Sequence, residues 1–169
     1  MIDYTQCKLD SGSWTNCTSP VSYTGLSEAA HTFSLKAFDT AGNVSTVASS
    51  SWTVDLTNPV LSLSGTPDAV TQSLVSVFSF SATDTGGIGS YSCNLDSAGW
   101  STCTSPWTQT LAAGSHTLQI KALDVAGNVS TVSSTTWIID LTAPSLSISS
   151  SPANPINSAN ATLAFSATD

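Results

Sequence analysis

The sequence predicts an all-β chain made of tandem β-sandwich repeats of about 85 residues each. Three observations lead there: the chain repeats itself, its apolar residues alternate with a period of two, and Gly-, Pro-, Asn- and Asp-bearing turns separate the alternating segments.

The repeat runs through most of the chain. Cys7, Trp14, Cys17 and Thr18-Ser19-Pro20 recur as Cys93, Trp100, Cys103 and Thr104-Ser105-Pro106. His31-Thr32 recurs as His116-Thr117, and the run from Ala41 to Val47 recurs from Ala126 to Val132. Trp52, Asp55 and Pro59 return as Trp137, Asp140 and Pro144, and the run from Phe80 to Asp84 returns from Phe165 to Asp169. One period holds a single small sandwich.

Within a period the strands follow from alternation. Residues 75–81 and 136–140 read as strands. In the segment from His116 to Asp124, Leu118, Ile120 and Ala122 point one way, and Thr117, Gln119 and Lys121 the other. Phe33, Leu35 and Ala37 alternate in the same way with Thr32, Ser34 and Lys36. No segment carries a helical period with caps. Two Pro-bearing stretches, Asp55 to Pro59 and Asp140 to Pro144, read as joints, because proline cannot extend a ladder. They divide the chain into the C-terminal portion of one domain (1–55), a complete domain (56–140) and the N-terminal portion of a third (141–169). That division starts the chain inside a domain, and near Met1 the residues Asp3, Tyr4 and Thr5 stand where a signal peptide would have its basic and apolar regions.

Composition narrows the function. With 40% hydrophobic residues the chain can build cores. Only 8% are charged, so Ser, Thr and Asn must supply most of the polar surface. Three lysines and no arginine against eleven acids give a net charge of -8, which excludes the clustered cations that nucleic-acid binding needs. The same charge disfavours anionic membranes, and no apolar run is long enough for a membrane-crossing helix.

Cys93 and Cys103 flank a turn from Asp96 to Gly99, and a hairpin centred on Ala98 would place them opposite each other, within bridging distance. Cys7 and Cys17 repeat the arrangement around Asp10 to Ser13. A zinc site would want more Cys or His per domain than two Cys and one His. Two disulfides are therefore expected, and with them an extracellular setting.

The pattern Cys-x-Leu-Asp-x-x-x-Trp-x-x-Cys-Thr-Ser-Pro, then His-Thr, then Asp-x-Ala-Gly-Asn, then Trp-x-x-Asp-x-Thr-x-Pro resembles the bacterial Ig-like repeats of long surface, adhesin-like and fibre proteins. The resemblance covers essentially the whole chain. It implies tandem immunoglobulin-like β-sandwiches serving as a spacer or stalk, and it identifies no ligand.

Several residues are candidates for sites. Asp39 with Asn43, and Asp124 with Asn128, read first as turns in which the side chains cap backbone groups. The alternative is calcium, for which Asp55, Asp84, Asp124 and Asp140 are the candidate ligands at the joints. Similar-looking arrays stiffen their joints in that way. His31 and His116 read as hydrogen-bonded residues at strand entries. Trp14, Trp52, Trp100 and Trp137 recur and read as packing residues. Trp107 stands where the first copy has Val21, which makes it the candidate ligand contact, beside the loop from Thr85 to Gly89. Asn16, Asn43, Asn128 and Asn160 sit in glycosylation sequons, which a Ser/Thr-rich chain produces by chance.

No residue set resembles a catalytic constellation, so the expected function is structural or adhesive, and the alternative is a glycan- or protein-binding module. Residues 141–169 carry the strands that residues 1–55 lack. Two readings of these ends stand: the chain is a window of a longer repeat protein, or its ends are completed by strand exchange. In the second case the distance of about 30–40 Å between the ends of a sandwich makes the partner a neighbouring copy, head to tail as a homopolymer.

Overall fold

The computed structural model describes all 169 residues and contains fourteen β-strands and no helix. The fold is all-β, as the alternation predicts. The chain divides into two compact units. One takes Met1–Val60, Ala82–Ser90 and Ala122–Thr131, the other Leu61–Ser81, Tyr91–Lys121 and Val132–Asp169.

In the first unit, β1 (Ile2–Leu9), β2 (Thr15–Cys17), β3 (Ala29–Asp39) and β4 (Ala48–Val54) form one antiparallel sheet in the order β2-β1-β3-β4. Its apolar residues line up on one face, where Phe33 and Leu35 are only half-buried and Trp52 is exposed.

The strands that follow are β5 (Val60–Gly65), β6 (Val70–Thr71), β7 (Val75–Thr83), β8 (Ile88–Leu95), β9 (Ser101–Cys103), β10 (Trp107–Thr110), β11 (Gly114–Asp124) and β12 (Ser133–Ile139). They make two sheets, β10-β7-β5 and β6-β12-β11-β8-β9. The second unit holds the core between them. Phe78 and Phe80 from β7 meet Cys93, Cys103, Leu118, Ile120, Trp137 and Ile139 from the opposing sheet. Leu61 and Leu63 of β5 pack against this cluster from the side. Along β11 the burial alternates as expected, with Leu118, Ile120 and Ala122 fully buried. A last hairpin, β13 (Ser145–Ser150) and β14 (Ala164–Thr168), pairs Leu146 with Ala167 and Ile148 with Phe165 and exposes every residue.

Both disulfides form, Cys7–Cys17 and Cys93–Cys103, but the hairpins that carry them differ from the expected register. Cys93 lies opposite Ser101, and Cys103 opposite Tyr91, so the turn centres on Ser97 and not on Ala98. The reason is local: Asp96 and Ser97 both take positive φ, 49° and 63°, and close the turn one residue earlier. The cysteines thus bridge diagonally, with Cα atoms 5.9 Å apart, still inside the usual range.

Each cysteine hairpin is tied to the next long strand by a histidine. The carboxylate of Asp96 accepts a hydrogen bond from the Thr117 amide (2.8 Å), and its other oxygen lies 2.7 Å from His116 Nδ1. The second ring nitrogen of His116 faces the Ala112 carbonyl at 3.0 Å. The first copy repeats this with Asp10, Thr32, His31 and the Ser27 carbonyl. An imidazole flanked by two acceptors satisfies both only when both nitrogens carry protons. The hydrogen bond to Asp96, helped by the Ala112 carbonyl, accordingly raises the His116 pKa, and Asp10 with the Ser27 carbonyl does the same for His31. His31 in turn holds the Asp10 carboxyl below its ordinary value. Partial burial pushes Asp96 up, but the hydrogen bonds from His116 and Thr117 outweigh it and lower its pKa.

Two outcomes follow. Leu118→Ala should destabilise the second unit by about 2–5 kcal/mol in denaturant unfolding, because it empties a fully buried site. Phe33→Ala, on the half-covered sheet, should cost clearly less; an equal cost would mean that this face is covered in solution. The second outcome concerns pH. A histidine raised in the fold contributes stability that is complete below about pH 6.5 and is lost as pH climbs through the raised value. The depressed carboxylates contribute above about pH 4 and lose it on further acidification. Thermal midpoints should therefore decline on both sides of that window, and a His31→Gln, His116→Gln double variant should lose the alkaline decline. A wild-type profile that is flat from pH 6 to 8 would contradict it.

An acidic loop cluster and an open sheet face

The Asp-x-Ala-Gly-Asn loops form as turns. Asp124, buried, accepts hydrogen bonds from the Gly127 and Asn128 amides at 2.6 and 2.8 Å and from the Asn128 side chain at 2.8 Å. Gly127 takes φ 99°, which a side chain would resist. Burial raises the Asp124 pKa, but Asn128 and the loop amides outweigh it and leave the carboxyl below its ordinary value. Asp39 binds the Ala41 and Asn43 amides and the Asn43 side chain in the same way, and the Asn43 side chain is the main reason its pKa is lowered.

The second loop reaches further. Asn128 Nδ2 also donates to the Asp55 carbonyl at 3.1 Å, and the Val125 amide donates to Gly87. These contacts bring Asp55, Asp84 and Asp124 together, with one oxygen of each within 4.8 Å of the others. Asp55 Oδ1 accepts from the Thr57 amide and Asp84 Oδ1 from the Gly86 amide, but Asp55 Oδ2 is buried with no hydrogen-bond partner. Gly86 makes the approach feasible, since a Cβ there would sit 2.3 Å from Asp55 Oδ2. Carboxylates held this close repel one another when ionised. Nothing cationic among the side chains offsets it. The donor set is hard oxygen throughout, which suits a divalent cation such as calcium, with water completing its shell. Asp140, the fourth candidate ligand, is not among the three; its carboxylate caps the Thr142 amide at 2.8 Å.

The open face of the first unit is a second candidate. A groove of about 480 Å³ runs over it, lined by Cys7, Cys17, Val21, Tyr23, Phe33, Leu35 and Trp52 among others. Trp137, which recurs at the Trp52 position and belongs to the second unit, is 2% exposed, whereas Trp52 is 37% exposed. What covers Trp137 is Phe78, at 5.0 Å between ring centroids. The groove lacks such a cover.

Trp107 is half-buried on β10, its ring 6.0 Å from Phe78 at the rim of the core. The loop from Thr85 to Gly89 carries the carboxylate cluster through Gly86 and Gly87. Trp14 and Trp100 cover the outer faces of their hairpins and receive Lys36 and Lys121 over their rings, both at 4.4 Å. Sequence reasoning missed the Asp10 and Asp96 clamps and the role of Gly86. The first had a signal, since Leu-Asp recurs after both first cysteines.

Two family models, both described as bacterial Ig-like domain, match the chain, one over residues 56–141 and the other over residues 13–56. Among solved structures, the chain is similar to the fibronectin(III)-like modules of Clostridium thermocellum CbhA, at 18% identity over 82% of this chain and 78% of that one, with a TM-score of 0.47. A likeness at that level carries no argument about function. No curated protein matches. With the longer match spanning half of its residues, the chain belongs to the bacterial Ig-like domain family.

Proposed function

We propose that this chain is a non-catalytic structural segment of an extracellular stalk or fibre, built from tandem Ig-like repeats, in which the open sheet of one copy is completed head to tail by the terminal hairpin of another. The observation that carries the reading is a match of two exposed apolar faces. By the internal repeat, Leu146, Ile148, Leu163 and Phe165 stand where Leu61, Leu63, Phe78 and Phe80 close the complete sandwich. Phe80 is 4% exposed and Phe165 is 73% exposed. Burying each large apolar side chain is worth about 1.5–3 kcal/mol, enough in sum to favour a covered state. Strands donated to an open sandwich also satisfy its edges. A head-to-tail contact between unlike ends produces a filament where its rotation does not close into a ring. The two disulfides support an oxidising, extracellular setting. Trp107, packed against Phe78, supports a core role for that residue before a glycan-binding one.

Light scattering across a concentration series tests this. Mass should grow with concentration for the wild type, and Phe165→Asp should hold the chain at monomer mass while leaving the complete sandwich folded. Monomer mass for the wild type at every concentration would defeat the reading.

The buried, unpartnered Asp55 Oδ2 favours a second role, calcium binding at Asp55, Asp84 and Asp124. In the repeat, Asp55 closes one copy while Asp84 and Asp124 belong to the next, so a cation there would stiffen successive repeats. Saturating calcium at about a hundred times its dissociation constant should add about 2.7 kcal/mol of stability. Calorimetry with Asp84→Asn should show that heat of binding lost; no heat with the wild type would rule the site out.

A further inference from the structure

Two segments of this chain stand outside regular structure although their equivalents in the complete sandwich are strands. Residues 21–24 follow Thr18-Ser19-Pro20 as β10 follows Thr104-Ser105-Pro106, yet only the later copy forms a strand. Residues 160–163 correspond to residues 75–78 of β7, yet β14 begins only at Ala164. In the complete sandwich these two stretches are partners: Trp107 pairs with Phe78, Thr108 with Val77, Gln109 with Ser76 and Thr110 with Val75. A strand needs a neighbour to satisfy its amides and carbonyls, and here each segment lacks the one that the other would supply.

We propose that residues 21–24 of one copy and residues 160–163 of a second copy fold against each other as antiparallel strands, Val21 opposite Leu163, Ser22 opposite Thr162, Tyr23 opposite Ala161 and Thr24 opposite Asn160. This rests on the head-to-tail reading and gives its contact. The chemistry of the two segments fits. Val21 and Tyr23 are partly exposed at the edge of the open groove, and Leu163 is exposed on its own segment. The pairing brings Leu163 to the place of Phe78, which covers the tryptophan of the complete sandwich. A further anchor is built in. The Ser105 hydroxyl accepts the Phe80 amide at 2.9 Å, and Ser19 stands ready to accept the Phe165 amide of the incoming strand. The assembly step is thus also a folding step, in which two irregular segments become strands together.

Cysteine cross-linking between separately prepared chains tests the register. Under mild oxidation, a Ser22→Cys chain mixed with a Thr162→Cys chain should give about tenfold more covalent dimer than the same chain mixed with Ala161→Cys, whose side chain faces the other way. Amide hydrogen exchange on the wild type should show residues 21–24 and 160–163 gaining protection together as concentration rises. If mass grows by light scattering but the two cysteine pairs cross-link equally and these amides stay unprotected, the copies meet head to tail in another way and this register is wrong. If mass does not grow at all, the head-to-tail reading falls and the register with it. Concentration-independent protection in a monomer would mean that a chain pairs its own segments, which overturns the choice of a second copy.

Discussion

Phe78 and Phe80 meet Leu118, Ile120 and Trp137 across the gap between two sheets, and the regular structure around them depends on that apolar contact. Each sheet in this chain presents one apolar face to be covered. Where a second sheet covers it, side chains are fully buried. On the sheet β2-β1-β3-β4 and on the hairpin β13-β14 the cover is missing, and the same residue types stay exposed. Strand length does not follow the cover: β3 on the open sheet is as long as β11 at the core, and only β14, which starts at Ala164, is shorter than its equivalent β7.

Around this core the chain builds its polar architecture almost without salt bridges. Four aspartates, Asp10, Asp39, Asp96 and Asp124, turn their carboxylates onto nearby backbone amides and a single histidine or asparagine each. Such contacts hold turns and tie hairpins to neighbouring strands without long, entropically costly charged side chains. The lysines lie over tryptophan rings on the outer faces. This is how a chain with few charges keeps a wetted surface and still defines its loops. The carboxylates of Asp55, Asp84 and Asp124 depart from that economy: they are held close together, and one oxygen has no partner.

These two features, an uncovered apolar face and a cluster of close carboxylates, are what the proposed array rests on. In the proposed array a similar repeat would cover the first and successive repeats would supply the second. The repeated residues described above maintain core, hairpin and loop.

Much was legible in the sequence. Alternation along Leu118, Ile120 and Ala122 set which side of β11 faces inward, because side-chain direction in a strand follows from position alone. The cysteine spacing gave both disulfides, since a ten-residue hairpin leaves few other partners. Tertiary structure decided what local pattern cannot encode. The hairpin centre moved to Ser97 because backbone φ, and not spacing, sets a turn. Asp55, Asp84 and Asp124 came together while Asp140 capped its own turn, because ligand sets depend on which loops meet in space. Residues 21–24 and 160–163 stayed irregular despite their strand-like equivalents. Sequence assigns a segment its faces, but a strand exists only where another backbone completes its hydrogen bonds.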